Sequence, residues 1–203
     1  MYNKLHFPAA IRFFHALPSK LAFNIFINGT CYFQNVKFKE VSSFLSLPRA
    51  DYEIEIYSIG EQSSPFICQE LRVESGTLAT VILYRTKEEF KLLPIYHDTE
   101  VPIGEAKMRF IHLAEEFSTV DVKATFGDVI FPHIHFMNMT KYLGLSPMTV
   151  NLEIRKAGTK NILLPLPKLV FKPNHIYSLV LLKNDSEERP YEVIVLTDYL
   201  VDL

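Results

Sequence analysis

The sequence predicts an all-β chain built as two tandem antiparallel β-sandwich modules. Three observations carry this. A unit of about a hundred residues repeats along the 203-residue chain. Within each unit, apolar and polar residues alternate with the period of strands. The composition, with 16 Phe, 10 Tyr and no Trp among many Ile, Val, Leu and Thr, suits pleated surfaces better than helices.

The repeat is anchored by its opening strand. Ile11-Arg12-Phe13-Phe14-His15-Ala16 matches Met108-Arg109-Phe110-Ile111-His112-Leu113, at a spacing of 97 from Arg12 to Arg109. After one inserted residue the spacing becomes 98: Gly29 falls on Gly127, Val36 on Ile134, Phe38 on Phe136, Leu45 on Leu143, Glu55 on Glu153 and Gly60 on Gly158. Near the ends, Ile95-Tyr96-His97-Asp98 meets Val195-Leu196-Thr197-Asp198 at a spacing of 100.

The next strands follow from alternation. Phe23-Asn24-Ile25-Phe26-Ile27 and Val120-Asp121-Val122-Lys123-Ala124 place apolar residues at odd steps, as do Tyr52 to Ile56 and Val150 to Ile154. One face of each is expected in a core and the other in water. Asn28-Gly29 predicts a two-residue hairpin, because both positions tolerate positive φ. Pro18, Pro48 and Gly60 punctuate the first copy, Pro147, Gly158 and Pro173 the second, with polar tips at Thr86 to Glu89 and Asp185 to Arg189. The expectation is about seven strands per copy, at sandwich spacing. The first module is read as residues 1–98, a linker as 99–106 and the second module as 107–203.

Composition excludes several classes. Hydrophobic residues make up 48% and charged ones 22%, with a net charge of −2 and no block of like charges. That is a folded chain without the basic footprint of a nucleic-acid binder. The longest apolar runs, such as Leu78 to Leu83, are far shorter than the roughly 20 residues of a membrane helix. Met1 to Pro8 lacks the apolar core of a signal peptide, so a cytoplasmic location is expected, or a spore layer or cell surface reached by another route. Without such a signal, the glycosylation patterns at Asn28-Gly29-Thr30 and Asn138-Met139-Thr140 carry no weight. Cys31 and Cys68 read as reduced small hydrophobes, with their pairing left open.

The segments His15-Ala16-Leu17-Pro18, Phe23 to Gly29 and Ser43-Phe44-Leu45-Ser46-Leu47-Pro48 before Tyr52 resemble a bacterial and archaeal family, domain-of-unknown-function family 4397. Its members carry a strand ending in His-Ala-Ser-Pro, a Val-Asp-Val-Tyr-Val-x-Gly arm and a Leu-Thr-Leu-Pro. In the second copy Ala114-Glu115-Glu116 replaces the proline loop, while Val120-Asp121-Val122 fits the arm well. The resemblance, covering both copies, implies immunoglobulin-like sandwiches. Many members resemble exported or wall-associated tandem modules, and the family supplies no catalytic residues.

Chemistry in the residues is sparse. His15 and His112 end the opening strands on the apolar face, where a neutral ring bonded to the following loop is expected. Arg12 and Arg109 face the other way, suited to a rim salt bridge or stem packing. The sharpest metal hint is His133-Ile134-His135, whose strand spacing puts both rings on one face, with Asp121 or His112 as a third ligand. Glu53 with Glu55 and Glu153 with Glu187 read as exposed carboxylates. GxSxG, Walker and GxGxxG signatures are absent from the sequence.

The expectation is therefore a non-catalytic structural or interaction scaffold without a cofactor. Its partner would be a protein or a second copy, and the carboxyl end, Tyr199 to Leu203, would dock or finish the last strand. A glycan-binding module using Tyr32, Tyr57 and Tyr142 is the alternative, and a metal-dependent enzyme the third reading.

Overall fold

The computed structural model describes residues 8–18, 21–60, 63–86, 89–184 and 186–200. The opening segment up to Phe7, parts of the tips at Lys87-Glu88 and Asp185, and the tail from Val201 lie outside the described residues. The chain divides into two units, Met1–His97 and Asp98–Leu203. All of the regular structure among the described residues is β.

The first unit contains β1 (Ala9–His15), β2 (Phe23–Ile27), β3 (Thr30–Val36), β4 (Leu45–Leu47), β5 (Ala50–Ser58), β6 (Ile67–Val73), β7 (Leu78–Arg85) and β8 (Phe90–Tyr96). They form two four-stranded sheets, ordered β4-β1-β7-β8 and β3-β2-β5-β6. The second unit contains β9 (Ala106–His112), β10 (Thr119–Ala124), β11 (Val129–His135), β12 (Leu143–Leu145), β13 (Met148–Lys156), β14 (Ile162–Phe171), β15 (His175–Lys183) and β16 (Tyr191–Leu200). Its sheets run β12-β9-β15-β16 and β11-β10-β13-β14. Adding eight to each strand number converts one unit's order into the other's.

Alternation builds each core. In the first, Ile11 and Phe13 of β1 meet Phe23, Ile25 and Ile27 of β2 with Ile54 and Ile56 of β5. In the second, Met108 and Phe110 meet Val120, Val122, Leu152 and Ile154. These are the odd-step residues of the sequence pattern, and each fully buried large side chain contributes on the order of 1.5–3 kcal/mol. The Asn28-Gly29 hairpin forms as expected, with Ile27 opposite Thr30 and φ of 48° and 73° at the two turn residues.

Five details go beyond the sequence reading. Among the described residues there are eight strands per unit, the short β4 and β12 included. β1 pairs with β7, and β9 with β15, in parallel, while the remaining strand pairs are antiparallel. β1 pairs with β4 and β7 and not with β2, so the order departs from the seven-strand constant-domain arrangement. The last strands correspond at a spacing of 101 rather than 100, since Ile82 opposes Leu93 where Val180 opposes Ile194. A bulge then inserts Asp198, because Tyr177 pairs with Thr197 and Ile176 with Tyr199.

Candidate functional site

The two recurring histidines hold the same three segments in each unit. His15 Nδ1 accepts from the Leu17 N–H at 3.2 Å, and Nε2 faces the Leu21 carbonyl at 3.4 Å. His112 repeats this with the Ala114 N–H at 3.3 Å and the Phe117 carbonyl at 2.8 Å. An Nδ1 that accepts and an Nε2 that donates define a neutral ring. The backbone groups of the same residues bond Lys39 and Glu40 in one unit, Met137 and Asn138 in the other. Phe38 and Phe136 set their rings edge-on to the imidazoles, each at 6.1 Å. Burial lowers both pKa values, against the pull of the Leu21 and Phe117 carbonyls, and takes His112 down to about 4. Each ring thus fastens the loop after its own strand, as the sequence suggested.

On the opposite face of the opening strand lies a polar network that sequence reasoning placed only in part. Arg109 Nε donates to Ser178 Oγ at 2.7 Å, and Ser178 donates to Asp198 Oδ2 at 2.5 Å. Tyr142 donates to the same carboxylate oxygen at 2.7 Å and lies 4.5 Å under the guanidinium. Arg109 Nη2 is 3.8 Å from Asp198 Oδ2, with both side chains buried. Burial, then the Asp198 charge, pushes the Tyr142 hydroxyl well above the usual phenol range. The first unit has a less charged version. Arg12 Nε donates to Thr80 Oγ1 at 2.9 Å, Thr80 pairs with His97 Nε2 at 2.7 Å, and Phe44 lies 4.7 Å under the guanidinium. Ser178 is a junction between a cation and an anion, not a nucleophile facing a cleft. The expected salt bridge of Arg109 is therefore interior rather than at a rim.

The His133 and His135 rings do not gather a metal set. β10 and β11 are out of register between Val120 and Val122, where His133 sits at φ 51°. This bulge interrupts the strand spacing from which a shared imidazole face was expected. His135 Nδ1 pairs with Thr119 Oγ1 at 2.9 Å. Asp121, offered as a third ligand, accepts from the His133 N–H at 2.7 Å and the Gly158 N–H at 2.8 Å. His112, the other offer, has both nitrogens on backbone groups. Among the described residues, no three His, Cys, Asp or Glu side chains are grouped to hold a metal. The bulge itself is repeated: Asn35, at φ 56°, bonds through its N–H to Asn24 Oδ1 at 2.9 Å. Asn24 and Asp121 are its clamps.

The cysteines also receive an answer. Cys31 on β3 and Cys68 on β6 are free and occupy opposite edges of one four-stranded sheet. Three strand spacings separate them, roughly 14 Å, against a Cα limit of about 7 Å for a disulfide. Desolvation first, then the Glu53, Glu55 and Glu70 carboxylates, raise the Cys68 thiol above its ordinary range. That suppresses the reactive thiolate. Glu153, read as exposed, is buried at 4% and paired with Arg155 at 2.5 Å. Of the candidate glycan platform, Tyr32 is exposed on β3, Tyr57 donates to Glu55 and packs against Phe26, and Tyr142 belongs to the Asp198 network.

The family model for a domain of unknown function, DUF4397, matches residues 9–123. The chain belongs to that family. The DUF4397 match opens with the first residue of β1 and runs into β10, so it takes in the entire first sandwich, including the His15 loop staple and the Asn24 clamp. No curated protein matches the sequence.

Sequence reasoning missed three members of the polar framework. Thr80 and Ser178 interrupt otherwise apolar strands at matching positions, and that shared interruption was the available signal. Gln69 gave none. Its amide crosses from β6 to the outer edge of β8, donating to the Leu92 carbonyl and accepting from the Leu92 N–H, both at 3.1 Å.

Proposed function

We propose that the chain is a non-catalytic scaffold that presents two β-sandwich modules to a protein partner or to copies of itself. The observation that carries this reading is the use of the polar side chains. His15, His112, Asp121 and the Arg109–Ser178–Asp198 group, which would be the first candidates for chemistry, are spent on backbone groups and on each other. What faces outward is sheet edge, with exposed apolar side chains such as Tyr32, Val170 and Val195. Unmet edge groups are suited to pairing with another chain. The setting in this reading is the cytoplasm, or a spore or envelope layer.

Sedimentation of the full chain across a wide concentration range, with a glycan array in parallel, tests this. Assembly with no array signal is the expected result. A chain that stays monomeric and binds glycans overturns the scaffold in favour of a glycan-binding module.

A further inference from the structure

The two units differ at one corresponding edge. In both, the last strand pairs with the strand before it, β8 with β7 and β16 with β15, and turns its other side outward. The first unit closes that side twice. Gln69 occupies both backbone groups of Leu92, and Pro94 brings no N–H at all. By register, Leu83 opposite Leu92 corresponds to Leu181 opposite Val193, and Val81 opposite Pro94 to Leu179 opposite Val195. The place of Gln69, opposite Ile54, is taken by Leu166, opposite Leu152. Leu166 has no amide to reach across, and Val195 has an N–H. Both closures are missing from the second unit.

We propose that the outer edge of β16 pairs antiparallel with β16 of a second copy, joining two four-stranded sheets into one across a two-fold axis. This rests on the scaffold reading and names its surface. Asn184 N–H bonds to the Pro190 carbonyl at 2.7 Å. Counting from that bond along the β15 register, Tyr191, Val193, Val195 and Thr197 turn their N–H and C=O groups away from β15. Among the described residues, β15 is the only strand that pairs with β16. Other long edges carry deterrents: Pro132 on β11, Pro165 and Pro167 on β14, Glu70 and Arg72 on β6, and a register shift along β3.

Charge selects the occupant and its register. From Val193 to Thr197 the edge is uncharged. With Val193 opposite Val195 of the other copy, Tyr191 meets Thr197, Glu192 meets Leu196 and Ile194 meets itself. All four outward residues then pair. Moving the axis so that Val195 meets itself sets Glu192 against Asp198, like charges directly opposite. Moving it the other way, so that Val193 meets itself, leaves Thr197 beyond the paired set. A strand is thus complementary to its own copy, as a closed two-fold interface requires.

Val195→Pro tests the edge without touching the β15 bonds, because the Val195 N–H points outward and the first unit already holds proline at this register. Sedimentation is expected to show the wild type dimerising and V195P dissociating at least about tenfold more readily. An independent readout is Ile194→Cys in a C31S/C68S background, which is expected to give a disulfide-linked dimer on mild oxidation, since the two Ile194 positions face each other in a close pair. If V195P assembles like the wild type and I194C does not cross-link, the β16 assignment falls while the scaffold reading stands. A wild type that is monomeric throughout overturns the β16 pairing, and a monomer that also binds glycans on the array overturns the scaffold reading with it.

Discussion

At β8 a glutamine amide and a proline close the sheet edge, whereas at β16, with the same neighbours and the same register, a leucine and a valine stand in their places. The difference extends inward. Where the first unit joins Arg12 to Thr80 and His97, the second joins Arg109 to Ser178, Asp198 and Tyr142. Where Asn24 clamps a bulge with one bond, Asp121 clamps it and reaches the Gly158 N–H as well. The shared strand order shows what the sandwich requires. The substitutions between copies show what is free to vary, and the second copy has taken the more charged interior and the more open edge.

The largest expected effect breaks the comparison at its most charged point. Asp198→Ala leaves the Arg109 guanidinium buried without its carboxylate and removes the acceptor of Ser178 and Tyr142. Loss of one member of a buried pair costs about 3–5 kcal/mol. Hydrogen exchange should therefore quicken in β9, β15 and β16 while β1 to β8 keep their protection. His97→Ala, which removes an uncharged-hydroxyl contact, should cost about 1 kcal/mol in the first unit. Equal costs at the two sites would show that the extra charge in the second unit is without consequence.

Acid sharpens the comparison through His112. Its folded pKa, about 4, lies below the ordinary histidine value of 6.5, so the unfolded chain takes up the proton first. The neutral ring's contribution is complete above about pH 6.5, is lost as pH falls toward 4, and changes no further below that. The full loss is on the order of 3 kcal/mol. Urea unfolding of the wild type and of His112→Asn at several pH values should show a steeper decline for the wild type between those limits. Parallel lines for the two proteins would mean that another group carries the acid sensitivity.

Much of this was legible in the sequence because it rests on periodicity and repetition. The β2 and β5 alternation, the Asn28-Gly29 turn and the paired His15 and His112 each had a local or duplicated signal. What escaped depends on contacts between distant strands. The bulge at His133 is set by a register shift against β10 and by the Asp121 carboxylate, neither of which counting by twos through His133-Ile134-His135 could show. The parallel pairing of β1 with β7 joins strands that are far apart in sequence. Gln69, polar among polar neighbours in Cys68-Gln69-Glu70, could be recognised as an edge clamp only once β6 and β8 had been brought to the same side of the sandwich.

A small change in stability carries the most about the edge itself. Gln69→Leu removes two neutral hydrogen bonds at a half-buried position, a loss of roughly 1–2 kcal/mol that exchange at Leu92 would report. Combined with Pro94→Val, it gives β8 the chemistry of β16, and the β7 bonds are untouched because Pro94 lies on an outward position. A chain with one open edge closes as a dimer, whereas a chain with two can continue from copy to copy. Q69L/P94V is therefore expected to form species larger than the wild-type dimer, and adding V195P should return it to dimers joined through β8. If the double variant sediments as the wild type does, edge closure at β8 is not what limits association, and the contrast between Gln69 and Leu166 affects stability alone.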